Sequence, residues 1–250
     1  DITTLLAPIQ KPLKSVDFEL QIKLEAQGYV IYSNGILVEQ CEAYLEVMPL
    51  IIDRLQVLAF QKSKYRFCFH GAALATPMGN LLLPGESGAG KSTLSALLLD
   101  KVHQIYSDEF IALNERFEIT SIPLPIAIKS GSWRVVSEKF PQLTAAKTWH
   151  RLDGRQLKYL WPSTFAKDST IPKTNTVLIH PQFSDKVSIA EISELSLIDT
   201  LTLLTKSGYQ LGFELDNEKL EKLIGYLQGT KRLRITYSSS TDISQILRSL

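Results

Sequence analysis

One segment predicts the architecture of this 250-residue chain: Leu81-Leu82-Leu83-Pro84-Gly85-Glu86-Ser87-Gly88-Ala89-Gly90-Lys91-Ser92. Its three leucines form a continuous apolar run, which is typical of a strand buried in the middle of a sheet. Residues 85–92 match the pattern G-x-x-x-x-G-K-[ST]. Leu94, Leu97 and Leu98 then recur at helical spacing. The segment therefore predicts a strand, a glycine-rich loop and a helix in succession.

The glycine-rich loop has the chemistry of a phosphate site. Glycine lets the backbone approach an anion closely and adopt positive φ where required. The N–H groups of such a loop and the N-terminus of the following helix attract phosphate. Lys91 would set its charge against the β- and γ-phosphates, and the Ser92 hydroxyl could ligate Mg²⁺. We expect ATP and Mg²⁺ as cofactors, bound by Gly85, Glu86, Ser87, Gly88, Ala89, Gly90, Lys91, Ser92 and Thr93.

A pair of carboxylates follows the next predicted strand. Residues 103–106 read as a strand that ends at Ser107, and Asp108 and Glu109 come directly after it. Residues 81–107 thus predict a βαβ unit. Adjacent strand ends of an open parallel sheet face one crevice, so these carboxylates should lie near the γ-phosphate. One could hold the metal and the other accept a proton, although a solvated acidic loop has the same sequence.

Two weaker groups of candidates flank these motifs. His70, before the central strand, could contact the transferred phosphoryl group or could be a half-buried core histidine. Lys129, Ser132 and Arg134 could contact phosphate or substrate. A surface turn pinned by Trp133 explains the same stretch without any function.

The rest of the chain predicts further strands and helices. Residues 18–24 alternate strictly between polar and apolar, and Asn34-Gly35 between apolar runs is a strong hairpin signal. Residues 50–60 have helical spacing. We expect a strand-rich N-terminal region with one helix over residues 1–62 and a second domain over residues 63–250. Towards the C-terminus, strands are predicted at 177–180, 187–190 and 232–237, and helices at 195–204, 220–227 and 242–250.

Composition excludes several classes of protein. Hydrophobic residues make up 44% and charged residues 21%, as in ordinary globular domains, and the net charge is +1. The chain lacks the basic excess of a nucleic-acid-binding protein. No apolar run approaches a membrane span, and neither Cys41 nor Cys68 belongs to a CxxC pair. We expect no membrane or nucleic-acid partner, free thiols and a cytoplasmic location.

With these pieces in order, the sequence resembles the HPr kinase/phosphorylase superfamily. More closely, it looks like the related serine kinases encoded beside ribosomal-peptide gene clusters, including the lasso-peptide precursor kinases. The resemblance rests on Phe69-His70-Gly71-Ala72-Ala73, on residues 82–94 and on Tyr106-Ser107-Asp108-Glu109, with Pro123-Leu124-Pro125, Lys129 and Ser132-Trp133 fitting as well. It covers about residues 66–135. No Glu-x-Arg-Gly signature follows Asp108, so neither HPr as substrate nor a phosphorylase reaction is implied.

The resemblance implies an α/β fold with a PEP-carboxykinase-like P-loop core and a mixed sheet. It implies that ATP phosphorylates a serine hydroxyl of a peptide or small protein, in an enzyme that could form homo-oligomers. By position, Asp108 would be the base for the acceptor hydroxyl, Glu109 would assist the metal, and His70 would lie near the phosphates. Two alternatives remain: a small-metabolite P-loop kinase and a non-catalytic ATP-binding switch.

Overall fold

The computed structural model describes residues 18–62, 65–102, 104–162, 170–171, 175–207, 216–239 and 241, together with the single residues 2, 6, 7, 246 and 248. Within them the elements are, in chain order, β1 (Leu20–Glu25), β2 (Gly28–Ser33), β3 (Ile36–Cys41), α1 (Tyr44–Lys62), β4 (Phe67–Thr76), β5 (Gly79–Pro84), α2 (Lys91–Leu98), β6 (Gln104–Ser107), β7 (Phe110–Leu113), β8 (Ile119–Thr120), β9 (Ile126–Lys129), α3 (Trp133–Lys139), α4 (Gln142–Ala145), β10 (Trp149–His150), β11 (Gln156–Leu160), β12 (Thr170–Ile171), β13 (Thr176–Phe183), β14 (Glu191–Glu194), α5 (Leu197–Lys206), α6 (Asn217–Gln228) and β15 (Lys231–Tyr237). The fold is α/β.

The chain divides into two compact units. The first joins residues 1–62 to residues 127–161, and the second joins residues 63–126 to residues 162–250. The single boundary expected after residue 62 is therefore incomplete, because a later segment returns to the first unit. Contacts between side chains explain that return. The rings of Tyr44 and Trp149 lie 5.7 Å apart, and Arg151 pairs with Asp53 at 3.0 Å.

The first unit is built around an antiparallel sheet in the order β1-β2-β3. Its β2–β3 turn is the predicted hairpin, with positive φ at Asn34 (49°) and Gly35 (79°). Buried Ile31 of β2 packs with Val47 and neighbouring apolar residues of α1. This helix begins at Tyr44, before the predicted residue 50, because the Glu46 carboxylate reaches back to the Ala43 N–H at 3.1 Å.

The second unit is built around a mixed sheet in the order β12-β8-β7-β4-β5-β13-β15-β14, with β6 also paired to β4. β5 and β15 both run parallel to β13, and the other pairs are antiparallel. The predicted central strand is β5, whose three leucines are buried. Its neighbour β4 runs without interruption through residues 70–71.

Strand pairing corrects the predicted βαβ unit. β6 does not lie beside β5, because β4 occupies the position between them and pairs antiparallel with both. β5 and β6 consequently run in the same direction with one strand between them, and their chain directions still lead to the same end of the sheet. The predicted strand at 187–190 is also wrong, since the strand in that region is β14.

Several C-terminal predictions agree with the structure. α5, α6 and β15 match the elements predicted at 195–204, 220–227 and 232–237 within a few residues. His103 and most of the helix predicted over 242–250 lie outside the described residues. Across the described parts of the chain, no helix combines the length and apolarity needed to cross a membrane.

Candidate functional site

The glycine-rich loop predicted to bind phosphate, residues 85–90, connects β5 to α2. β5 ends at Pro84, which lies opposite Gly71 of β4, and the next N–H, that of Gly85, donates to the His70 carbonyl at 3.1 Å. Gly88 and Gly90 have positive φ values of 92° and 96°, which only glycine adopts without strain. The sequence thus folds here as a tight turn that leads directly into the helix.

The side chain of Lys91, the first residue of α2, reaches back into this loop. The residue is only 4% exposed, and its ammonium donates to the Glu86 carbonyl at 2.9 Å. The positive charge therefore lies within the loop itself. Ser92 is half-buried and Thr93 is buried on the first turn of α2, whereas Ser87 is exposed.

β4 holds the two halves of the site together. On one edge it pairs with β5 up to Pro84, and on the other it pairs with β6 and then with β7. Asp108 and Glu109 lie in the short break between β6 and β7, and the Glu109 carbonyl accepts a 3.0 Å hydrogen bond from the Gly71 N–H. The carboxylates therefore stand across a single strand from the start of the loop.

Asp108 is buried, and neither of its carboxylate oxygens makes a hydrogen bond of standard geometry among the described residues, although the Ser92 and Ser95 hydroxyls lie close enough to interact with it. Burial raises the pKa of Asp108 to about 7, and the charge of Glu109 adds to this increase. The nearby hydroxyls of Ser92 and Ser95 and the charge of Lys91 lower the pKa in part. Ser95 is likewise fully buried.

His70 and Glu109 form a second pair at the same place. His70 Nδ1 lies 3.3 Å from Glu109 Oε2 and 3.3 Å from the Glu109 carbonyl oxygen. Because both of these oxygens accept hydrogen bonds, Nδ1 is the nitrogen that donates its proton. In the neutral ring the lone pair is then on Nε2. The histidine side chain is 14% exposed and the Glu109 side chain is 27% exposed. His70 is thus half-buried, and it contacts Glu109, the carboxylate that is predicted from the sequence to assist a metal ion.

The glycine after His70 has a structural explanation. A Cβ at Gly71 would stand 2.6 Å from Ile111 Cδ1 and 2.7 Å from the Leu83 carbonyl oxygen. No side chain fits between the two neighbouring strands at that point. Gly71 therefore allows β4 to bring His70 close to the loop.

The oxygen donors in this region fit Mg²⁺, which prefers hydroxyl, carboxylate, phosphate and water ligands. The Ser92 hydroxyl and the two carboxylate oxygens of Asp108 are such donors. No group of three or more His, Cys, Asp or Glu side chains that could hold a metal ion occurs in the described ranges.

The weaker substrate candidates belong to the other unit. Lys129 ends β9, Ser132 belongs to a 3₁₀ turn and Arg134 lies on α3. The turn is fixed by the Trp133 indole, which donates to the Ile128 carbonyl at 2.9 Å. Trp133 therefore fixes this turn, in agreement with the alternative that the stretch is a surface turn without a function. The substrate role of Lys129, Ser132 and Arg134 stays a prediction.

Two residues that sequence reasoning did not single out lie against the loop. Tyr237, the last residue of β15, donates its hydroxyl to the Gly90 carbonyl at 2.7 Å. Phe183, the last residue of β13, donates its N–H to the Ala89 carbonyl at 3.3 Å. Only the period-two apolar pattern of residues 233, 235 and 237 hinted that Tyr237 faces the interior.

Comparisons of the sequence with family models and with curated proteins identify no family for this chain. No family model matches the sequence, and no curated protein shows significant similarity to it.

Proposed function

We propose that this chain is an ATP- and Mg²⁺-dependent kinase that phosphorylates a serine hydroxyl of a peptide or small protein, on a PEP-carboxykinase-like P-loop core. One observation carries the proposal. The loop with Lys91 and Ser92 converges with Asp108 and with the His70–Glu109 pair at one end of the mixed sheet. A lysine, a hydroxyl and a base in one place are what phosphoryl transfer requires.

The loop would seat the nucleotide phosphates. Its N–H groups and the N-terminus of α2 supply partial positive charge, and Lys91 supplies a full charge. In the structure this ammonium donates to the Glu86 carbonyl at 2.9 Å. A phosphate oxygen would replace that carbonyl as its partner, because a charge-assisted hydrogen bond to an anion is stronger than one to a neutral oxygen.

Asp108 is proposed to take the proton of the acceptor hydroxyl. The hydroxyl oxygen forms a bond to the γ-phosphorus while the bond from that phosphorus to the β–γ bridging oxygen breaks. ADP leaves with the electron pair, and the hydroxyl proton passes to the Asp108 carboxylate. A pKa of about 7 suits this role, since a base works best when its pKa lies near the operating pH.

His70 is proposed to contact the transferred phosphoryl group, with Glu109 holding its ring through Nδ1. Mg²⁺, when bound, would neutralise charge on the β- and γ-phosphates. Ser92 is the residue proposed to hold it. Glu109 is also predicted to assist the metal, but in the structure its carboxylate already contacts His70.

A cytoplasmic location is part of the proposal. Cys41 and Cys68 are both buried and form no disulfide, as is usual in a reducing compartment.

The test is phosphoryl transfer from γ-labelled ATP, with Mg²⁺, into size-fractionated lysate of the producing organism. We expect label on a peptide or small protein, at serine, with wild-type enzyme and none with Lys91→Ala. Lys101→Ala is the matched control, because Lys101 lies in the same unit but is exposed and paired with Asp100 at 3.6 Å. It should transfer as the wild type does.

The other outcomes identify the alternatives. Label that appears only on small molecules would indicate a metabolite kinase. ATP binding without label in any fraction would favour a nucleotide-dependent switch. If Glu109→Gln abolishes transfer and Asp108→Asn does not, the proton acceptor is Glu109 and the assignment of Asp108 as base is wrong.

A further inference from the structure

We infer that Tyr237 is a positioning residue for nucleotide binding, acting with the backbone of Phe183 to aim the N–H groups at the end of the phosphate-binding loop. The inference rests on the proposed function, because it assigns a role in seating the phosphates of a nucleotide. Neither residue belongs to the loop motif, and they come from the ends of β15 and β13.

Two successive carbonyls of the loop are held from outside it. The Phe183 N–H donates to the Ala89 carbonyl at 3.3 Å, and the Tyr237 hydroxyl donates to the Gly90 carbonyl at 2.7 Å. In a trans peptide the C=O and the following N–H point in opposite directions, and no cis peptide occurs in the described chain. Fixing these carbonyls towards the sheet therefore turns the N–H groups of Gly90 and Lys91 away from it, towards the phosphate side of the loop.

The anchor formed by Tyr237 is rigid. Its side chain is completely buried, and its ring packs edge-on against Phe183 with centroids 5.5 Å apart. The Ser184 N–H donates to the Tyr237 carbonyl at 2.8 Å, which ties the ends of the two strands together. Because β13 and β15 are neighbouring parallel strands of the mixed sheet, the sheet sets the position of the Tyr237 hydroxyl.

The fit of Gly90 shows how closely the tyrosine approaches. A Cβ at Gly90 would lie 2.6 Å from the Tyr237 hydroxyl oxygen and 3.1 Å from Phe183 Cβ. The Gly90 carbonyl also accepts the first hydrogen bond of α2, from the Leu94 N–H at 2.8 Å. One carbonyl thus links the sheet, the loop and the helix, and its direction sets that of the Lys91 N–H.

The experiment compares Tyr237→Phe with Tyr106→Phe in the full chain. Tyr106 is a matched control because it is also buried in the same unit, and its hydroxyl donates to Asn80 Oδ1 at 3.1 Å, at the other end of β5. Each variant loses one buried hydroxyl and keeps its ring. Affinity for MgATP is measured by calorimetry, unfolding by urea, and kcat and KM for ATP by phosphoryl transfer.

Both variants should lose similar stability, but only Tyr237→Phe should weaken MgATP binding, by about three- to tenfold, as expected for one hydrogen bond. KM for ATP should rise by the same factor while kcat stays within about twofold, because ground-state and transition-state phosphates share these N–H groups. Unchanged MgATP affinity in a folded Tyr237→Phe protein would overturn the inference and leave the kinase proposal intact. Absence of MgATP binding by the wild type would overturn both.

A second variant keeps the test decisive if Tyr237→Phe does not fold. Phe183→Leu retains the N–H that holds Ala89 and removes the ring that supports Tyr237. We expect a smaller loss of MgATP affinity, about two- to threefold, for this loss of packing. Wild-type affinity in Phe183→Leu, together with the expected loss of stability, would contradict the inference.

Discussion

Replacing Asp108 by Asn should make the protein more stable while it abolishes phosphoryl transfer. The carboxyl is buried, the Ser92 and Ser95 hydroxyls and the Lys91 charge offset only part of the cost of burying its charge, and its pKa rises from 3.8 to about 7 on folding. Because the unfolded chain gives up this proton first as pH rises, the folded state loses stability from about pH 4 up to about pH 7 and no further above it. Asn carries no charge at any of these pH values.

The magnitude follows from the size of the shift. Each pKa unit corresponds to about 1.4 kcal/mol, so a change from 3.8 to about 7 sets an upper limit of roughly 4 kcal/mol at pH 8. The loss of attraction to Lys91 and of the hydroxyl contacts is already part of that shift. We expect Asp108→Asn to raise the free energy of unfolding by about 2–4 kcal/mol at pH 8 and by little at pH 4.

The assay is urea unfolding of wild type and Asp108→Asn at several pH values between 4 and 8. Asp100→Asn is the control, since Asp100 lies in the same unit with its side chain 46% exposed, and it should leave the pH dependence unchanged. Equal stability of wild type and Asp108→Asn at pH 8, with parallel pH profiles, would refute the reasoning that an ionised carboxylate is buried here at a cost.

Three further predictions concern the same site. Gly90→Ala should lower the free energy of unfolding by about 1–3 kcal/mol in urea, because the new Cβ meets a buried hydroxyl oxygen at 2.6 Å and φ is 96°; Gly131→Ala, with open space around it, should change it little, and equal losses would contradict the reasoning. His70→Ala and Glu109→Gln should both reduce kcat by about 10- to 100-fold and show no additive loss when combined, since the carboxylate acts through the ring; additive losses would separate their roles. The value of kcat/KM should rise with pH and level off above about pH 7 as Asp108 ionises, and a profile flat from pH 5 to 8 would exclude this carboxylate as the base.

The loop and its surroundings could be predicted from sequence because their signals are local. The leucine run, the glycines, Lys91 and the helical spacing after it lie within a short stretch, so each residue's conformation follows from its neighbours. The sequence places Asp108 near the loop only if β5 and β6 are taken to be adjacent strands. It does lie near the loop, but across β4, because strand pairing depends on contacts distant in sequence.

The return of residues 127–161 to the first unit could not be predicted for the same reason. That segment consists of short elements, and its place is set by contacts such as Tyr44 with Trp149. The contact between His70 and Glu109 was also out of reach, since the pair depends on the register of β4 with β7. Tyr237 carries no motif, and only its packing against Gly90 reveals its importance.

The most direct test of the central claim is a crystal structure with Mg²⁺ and a non-hydrolysable ATP analogue. Our account predicts phosphate oxygens within hydrogen-bond distance, about 2.7–3.2 Å, of the Gly90 and Lys91 N–H groups and of the Lys91 ammonium, which will have left the Glu86 carbonyl. The γ-phosphate should face Asp108 and His70. A nucleotide bound elsewhere, with Lys91 still donating to Glu86, would contradict the account.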